Sequence, residues 1–415
     1  MIASTPVNIE KTLVFCKTDD DIYNAFNAKG AAGTTAGSLC AADFNQSINV
    51  NQFGKTQDRV RIIAKRKSVY SENFFDGYIK GCGSWQVTGY IKKNSQWYKA
   101  EVIRIPSKYG LFAKGRGLFE TDILKNKTVL LIGCGSGGAP VALGLAQLGI
   151  GIIILVDHDR LEVGNITRNP AGIKDIGRYK ISVMKEMILN INPYTKVITC
   201  NEKVTQKNQD KIAGLIAQSD IVINAADDPK CRIIINKHCV EQGKPLIMGG
   251  CFRRAYGGQV FYIRPGHTPC YQCFLNNVPG VAEDYEISNQ QQADSISYSD
   301  RQIPVEPGLA NDIAPISQKI VKLTLTEIMR NEETTLKTLR DDFKAFWYLW
   351  LNRREPDTAY ENLAPMGFGL DMSIMRWYGL PMPKDPACSC CGDITNRTED
   401  GKKIAISEKD MDIFR

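Results

Sequence analysis

The strongest constraint on this chain is a four-residue apolar run, Val129 to Ile132, that breaks into Gly133-Cys-Gly135-Ser-Gly-Gly138. Such a run suits a strand buried on both faces, as in a parallel sheet. Glycines at 133, 135 and 138 predict a tight strand-to-helix turn over which backbone N–H groups can approach a phosphate. Ala139 to Leu148 then reads as a helix, and a second apolar run, Ile150 to Val156, ends at Asp157. That acid falls roughly 20 residues past the glycines, where a doubly wound fold places its ribose-binding carboxylate. The expected fold class is α/β, with a doubly wound, Rossmann-like, mostly parallel sheet.

These residues alone fit an NAD- or FAD-dependent enzyme as well as a site for ATP. The string after the second run separates the two. Asp157-His-Asp159-Arg-Leu-Glu-Val-Gly-Asn165-Ile-Thr-Arg168 supplies two acids, an amide and a guanidinium just beyond a strand's carboxyl end, where ligands of open α/β sheets bind. Hydride transfer has no evident need for that set, because the nicotinamide carries the chemistry. A triphosphate does: arginine offers a fork of donors to phosphate oxygens, and lysine a compact point charge. Singly, each residue also has an ordinary structural role open to it. Asp157 and Asp159 suit turns or helix caps, Arg168 and Lys180 suit a solvated surface, and Asp227-Asp228-Pro229 suits a turn before a helix.

As a set the residues resemble the ThiF/MoeB/ubiquitin-activating enzyme superfamily of ATP-dependent adenylyltransferases. The resemblance runs from about residue 115 to the C-terminus. It is carried by the glycines of 133–138, Asp157-x-Asp159, Asn165-x-x-Arg168, Gly177-Arg-Tyr-Lys180, Ala-Ala-Asp227-Asp, Arg232-x-x-x-Asn236, Lys244-Pro-Leu-Ile and two Cys-x-x-Cys pairs. It implies that Gly133, Gly135 and Gly138 cradle the phosphates of ATP while Asp157 holds the ribose, with Asp159 close by. Asn165, Arg168 and Lys180 would contact the phosphates and steady charge building on the α-phosphorus, and Asp227 would hold Mg²⁺. The implied partner is a small β-grasp protein, ubiquitin-like or sulfur-carrying, that ends in Gly-Gly. Its C-terminal carboxylate attacks the α-phosphate to give an acyl-adenylate and pyrophosphate. Relatives also carry an arginine upstream of the first strand that reaches across a homodimer to the partner's ATP; here that role falls to Arg116.

The cysteines give a second signal: there are 13, with 3 His. No signal peptide and no apolar span of about 20 residues is evident, so a cytoplasmic location is expected, where patterned cysteines more often bind metal than form disulfides. Cys270-Tyr-Gln-Cys273 and Cys388-Ser-Cys390-Cys391 together suit a closed Cys₄ structural zinc site; ordinary buried thiols, or His267 as a substitute ligand, are the alternatives. The family spacing selects Cys388 and Cys391 and leaves Cys390 spare. Ubiquitin-activating enzymes that pass their cargo onward carry a nucleophilic cysteine in or after a crossover loop, yet residues 274–387 contain none. The candidates for a thioester are then Cys251, in Met248-Gly-Gly-Cys-Phe-Arg-Arg, and Cys390; Cys134 is expected only to pack.

A chain of 415 residues with 43% hydrophobic content suits two domains. Residues 1–112 read as a smaller α+β accessory module of unknown family. Residues 113–415 read as the adenylation domain, including a crossover loop at about 274–310 and the C-terminal zinc knuckle. A net charge of +7 without a basic block argues against nucleic acid, and membrane association has no support. The leading expectation is activation of the C-terminal glycine of a ubiquitin-like protein. Asn352-Arg-Arg-Glu and Arg376-Trp-Tyr-Gly resemble activating enzymes of prokaryotic conjugation operons, some of which act in phage defence and include a conjugating enzyme. A sulfur-carrier adenylyltransferase of the thiamine or molybdopterin type and a catalytically inactive nucleotide-binding scaffold are the alternatives.

Overall fold

In a computed structural model the chain divides into two units, Met1–Lys114 and Gly115–Arg415. The structure describes residues 111–115, 121–277, 308–356, 358–364 and 372–392, together with the backbone of eight strands between 13 and 105. Those strands are β1 (Leu13–Thr18), β2 (Gly37–Ala41), β3 (Phe44–Thr56), β4 (Arg59–Lys65), β5 (Phe74–Lys80), β6 (Gln86–Lys93), β7 (Gln96–Ala100) and β8 (Val102–Ile105). They form one sheet in the order β7-β6-β5-β4-β3-β2-β1-β8. Neighbours are antiparallel except β1 and β8. The helical part expected of an α+β module lies outside the described residues.

The second unit is built on β9 (Thr128–Ile132), β10 (Ile152–Val156), β11 (Lys196–Cys200), β12 (Ile221–Asn224), β13 (Leu246–Cys251), β14 (Gly257–Ile263), β15 (Trp347–Leu351) and β16 (Trp377–Leu380). Their order is β11-β10-β9-β12-β13-β14-β15-β16. From β11 to β13 the strands are parallel. From β13 to β16 they are antiparallel. Connections leave β9 toward β10 and later return on its other side to β12, so the sheet has a switch point between β9 and β12. A doubly wound sheet binds ligands at the carboxyl ends of such a pair.

Around the sheet lie α1 (Thr121–Leu124), α2 (Gly138–Leu148), α3 (Lys180–Ile191), α4 (Gln209–Ala217), α5 (Pro229–Glu241), α6 (Tyr271–Asn277), α7 (Ala310–Ile328) and α8 (Lys337–Asp342). Successive side chains along a strand point to opposite faces, and the core divides accordingly. Val129, Leu131, Ile153, Leu155 and Ile223 pack with Val141 and Leu145 of α2, Ile188 of α3 and Ile320 of α7. Leu130, Ile132, Ile154, Val156 and Val222 pack with Ile212 of α4, Ile235 of α5 and Cys273 of α6. Both faces are therefore covered, which is why the central strands read as unbroken apolar runs. Helix α2 stops at Gly149, whose left-handed φ of 89° costs a glycine little. Among the described residues no helix is long and apolar enough to cross a membrane.

Candidate functional site

The turn between β9 and α2 is shaped by two close approaches. Gly133 has φ 89° and lies so near the end of β12 that a Cβ would meet the Ala225 carbonyl carbon at 2.9 Å. A Cβ on Gly138 would meet the Gly133 carbonyl oxygen at 1.9 Å, so only glycine lets the helix begin there. Gly135 and Gly137 are different: a Cβ on either would have nothing within 4 Å. Among the described residues the N–H groups of residues 135–137 form no backbone hydrogen bond. An open cradle of free donors at the start of a helix suits a phosphate.

Asp157, at the end of β10, is buried and accepts two backbone hydrogen bonds. Its Oδ2 takes the Cys134 N–H at 2.6 Å and its Oδ1 the Asp159 N–H at 2.8 Å. The carboxylate thus sets the glycine turn and its own loop at once. Cys134 is buried beneath it, and burial, reinforced by the Asp157 charge, pushes its thiol well above the ordinary value. It packs, as expected, and stays protonated.

Lys180 opens α3 and is bound twice to Asp159. Its N–H donates to the Asp159 carbonyl at 2.9 Å, and its Nζ donates to Asp159 Oδ2 at 2.8 Å. Burial works to lower the Lys180 pKa, but the Asp159 hydrogen bond and the charges of Asp157, Asp159 and Asp227 outweigh it and raise the value. For Asp159, burial is opposed by Lys180, with a net fall. Lys180 is thus held charged among three carboxylates at the sheet's carboxyl edge, with only 12% of its side chain exposed.

Asp227 follows the end of β12. Asn224 Oδ1 accepts the Ala226 N–H at 3.0 Å, and the buried Arg232 of α5 donates Nε to the Ala226 carbonyl at 3.0 Å. These bonds fix the turn that carries Asp227. The Asp227 side chain is exposed and among the described residues forms no hydrogen bond or salt bridge. Its neighbour Asp228 is instead consumed in capping α5, accepting from the N–H groups of Lys230 and Cys231. A free carboxylate beside Lys180 and the open glycine turn suits a hard divalent cation, so the donor set fits Mg²⁺.

Asn165 ends a helical turn, Val163–Asn165, where its Oδ1 accepts the Glu162 N–H at 3.2 Å. Arg168 follows, and its Nε is buried without a hydrogen-bond partner among the described residues. A buried donor left unpaired costs free energy unless a ligand takes it up. Asn169 is a residue the sequence reading missed. Its Nδ2 reaches the Cys134 carbonyl at 3.4 Å and its Oδ1 accepts the Ala171 N–H at 3.0 Å, so it ties this segment to the glycine turn. Its only signal was the dipeptide Asn169-Pro170, a turn former. Cys251 ends β13 on the same edge of the sheet and is half-buried. Arg116, and the crossover residues 278–307, lie outside the described residues.

The two cysteine pairs meet. Cys270, Cys273, Cys388 and Cys391 are buried with all four sulfurs within 4.8 Å of one another. Cys270 Sγ lies 4.0 Å from Cys273 Sγ and 3.6 Å from Cys388 Sγ, and Cys273 Sγ lies 3.3 Å from Cys391 Sγ. A tetrahedral zinc with bonds of about 2.3 Å sets its sulfurs about 3.8 Å apart, so the tetrad fits such an ion. Gly392 closes the second knuckle, since a Cβ there would meet the Cys388 carbonyl at 2.4 Å. Cys390 is also buried and lies outside the tetrad; Asn236 Nδ2 of α5 donates to its Sγ at 3.2 Å, and its sulfur also contacts Cys270. Asn236 Oδ1 accepts the Tyr271 N–H at 2.9 Å and so joins both knuckles to the helix that follows Asp227. His267 is exposed and outside the tetrad.

Residues 113–339 match the ThiF family. Over 174 residues the chain is 34% identical to the adenylyltransferase and sulfurtransferase MOCS3 of Dictyostelium discoideum, covering 40% of each protein. It is 29% identical over 158 residues to ubiquitin-like modifier-activating enzyme 5 of Caenorhabditis briggsae, covering 36% of this chain and 37% of that one. To the probable molybdopterin-synthase adenylyltransferase of Porphyra purpurea it is 35% identical over 158 residues, covering 37% and 40%. The chain therefore spans well under half the length of these relatives. Among solved structures it is similar to E. coli MccB with MccA-N7isoASN, with a TM-score of 0.47 and 23% identity over 66% of this chain and 69% of that one. The family match at residues 113–339, more than half of the chain, shows that the chain belongs to the ThiF family.

Proposed function

We propose that this chain adenylates the C-terminal glycine of a ubiquitin-like protein with ATP. The observation that carries the reading is the placement of Lys180. It opens α3, held charged by Asp159 within the fields of Asp157 and Asp227, near a glycine turn with unused N–H donors. Such a cation, with Arg168, would steady charge on the α-phosphorus while a carboxylate displaces pyrophosphate, so positioning and electrostatics supply most of the rate. Asp227 would hold Mg²⁺, which neutralises the triphosphate, and Asp157 would fix the ribose. The zinc tetrad would be structural, with no open coordination position. A homodimer, with Arg116 reaching across it, belongs to the same reading.

A second reading, adenylation of a sulfur carrier, is favoured by the sulfurtransferase and molybdopterin-synthase relatives and by the absence of cysteine from residues 274–387. In the first reading a thioester on Cys251 remains the proposal. Pyrophosphate exchange into ATP that depends on a Gly-Gly-tailed β-grasp protein tests the adenylation common to both. Exchange without such a protein, or none with any carrier, would overturn it. A reducible enzyme–carrier adduct lost in Cys251→Ser then separates the two.

A further inference from the structure

Helix α7 is no part of the nucleotide fingerprint, yet it touches the phosphate turn. Ser317 Oγ donates to the Gly137 carbonyl at 2.8 Å, and Ser317 is 2% exposed, so water has little room to replace it. One turn further along α7, Val321 packs on α2 at Gly144, where a Cβ would come within 2.9 Å of Val321 Cγ2. The N-terminal end of α7 is anchored as well. Asn352 Nδ2 donates to the Asp312 carbonyl at 2.8 Å, and Arg353 Nη1 to Asp312 Oδ2 at 3.0 Å. These bonds support a stretch in which Pro315 removes one helical hydrogen bond. Just before the helix, a Cβ on Gly308 would lie 3.9 Å from Arg168 Nη1. One element thus borders both the glycine turn and the candidate phosphate arginine.

We propose that Ser317 is a positioning residue for nucleotide binding, holding the Gly137–Gly138 peptide plane so that the donors of the turn stay aimed at the phosphates. A peptide's carbonyl and N–H point in opposite directions, so fixing the Gly137 carbonyl on α7 also fixes the Gly138 N–H at the start of α2. Preorganised donors bind an anion without a reorganisation cost at the moment of contact. As the residue that caps α2, Gly137 also offers its carbonyl to the first bond of the helix; with Ser317 truncated that carbonyl keeps only the helical partner, and the peptide plane is held less tightly. The inference rests on the adenylation reading only for the identity of the anion.

The test uses the full chain with Mg²⁺ and a fluorescent ATP analogue at equilibrium, alongside carrier-dependent exchange. Ser317→Ala weakens nucleotide binding about tenfold and raises KM for ATP by the same factor. Its kcat, carrier KM, zinc content and thermal midpoint stay near wild type. Ser317→Thr keeps the hydroxyl and recovers affinity. Unchanged affinity in Ser317→Ala, or a loss confined to kcat, overturns the inference. Wild-type chain that binds the analogue but never exchanges pyrophosphate would sink the adenylation reading and leave the Ser317 comparison intact.

Discussion

Lys180 and Asp159 are joined through backbone and side chain together, with Nζ 2.8 Å from Oδ2 and the Lys180 N–H 2.9 Å from the Asp159 carbonyl. The raised Lys180 and lowered Asp159 pKa values keep both partners ionised across neutral pH. Lys180→Met should cut carrier-dependent exchange by about 10²–10³-fold, the scale of losing one preorganised transition-state donor. Lys180→Arg should restore little of it, because a planar fork does not replace a compact ammonium. The pH–rate profile should show no limb from this pair between about pH 6 and 9.

The signs for stability follow from the same shifts. Asp159 titrates lower folded than unfolded, so its contribution is present above its ordinary 3.8 and is lost as pH falls through the folded value. Lys180 titrates higher when folded, so its contribution holds below 10.5 and fades as pH rises past the folded value. Asp159→Asn should therefore flatten the acid arm of the urea-midpoint curve by lowering the midpoint at neutral pH, leaving the acid end nearly unchanged. Asp159 is 49% exposed, so the effect is a fraction of what a buried pair would give.

Adjacent carboxylates at the end of β12 should behave oppositely. Asp227→Ala removes an exposed side chain that forms no hydrogen bond or salt bridge among the described residues, so exchange should vanish while melting temperature and zinc content hold. Asp228→Ala removes the cap that receives two N–H groups of α5 and should cost about 1 kcal/mol of stability with exchange largely kept. A melting-temperature loss in Asp227→Ala, measured by calorimetry, would mark that residue as structural.

How much of this was legible in the sequence depended on whether a residue answers to its neighbours or to distant ones. The strands at Val129–Ile132 and Ile150–Val156 were legible because burial on both faces forces an unbroken apolar run. Gly133 and Gly138 were legible because turn geometry is local. The cysteine pairs announced themselves by spacing, although only the fold shows Asn236 donating to Cys390. Asn169 and Ser317 were not legible. Each acts on one backbone carbonyl far away in the chain, and no period or spacing encodes such a contact. Asn224 stood in plain view as a polar residue ending Ile221-Val-Ile, yet its bond to the Ala226 N–H needed the strand's end to be located first.

The glycines of the turn divide into two kinds. Gly138→Ala puts a methyl against the Gly133 carbonyl and should destabilise the chain by at least 2 kcal/mol, a backbone clash that a close-packed interior cannot relax. Gly135→Ala meets open space and should change stability by less than about 1 kcal/mol. It should nonetheless weaken ATP binding, since its methyl would enter the volume a phosphate needs. Equal losses of stability in the two variants, measured by urea unfolding, would contradict this division.

The tetrad makes a claim about stoichiometry. The purified chain should carry about one zinc, by elemental analysis. Cys273→Ser should lose it and melt about 10 °C lower or more, since structural zinc contributes several kcal/mol of folding free energy. Cys390→Ser should keep the metal, because its sulfur lies outside the set of four that surrounds one point. Asn236→Ala should also keep it but lose about 1–3 kcal/mol, since it removes the buried bonds that Asn236 makes to the Tyr271 N–H and to Cys390. Zinc loss from Cys390→Ser equal to that from Cys273→Ser would mean the fifth thiol belongs to the coordination sphere.

Lys319 of α7 supplies a pH signature far from the tetrad. Its Nζ stands 4.1 Å from the ring centroids of Phe343 and Tyr348 and 5.2 Å from that of Trp377, and burial lowers its pKa from 10.5 to about 8. Ring faces attract an ammonium by roughly 0.5–2 kcal/mol, which opposes the burial. Between about 8 and 10.5 the unfolded chain holds a proton that the folded chain has shed, so stability should rise with pH across that window. Tyr348, pushed up to about 12 by burial, stays neutral throughout. Lys319 is half-buried, and solvent screening reduces the gain to on the order of 1 kcal/mol. Urea midpoints of wild type and Lys319→Met between about pH 7 and 10 should diverge, with only the wild type gaining. Parallel curves would show that the three rings offset the cost of burying the ammonium in full.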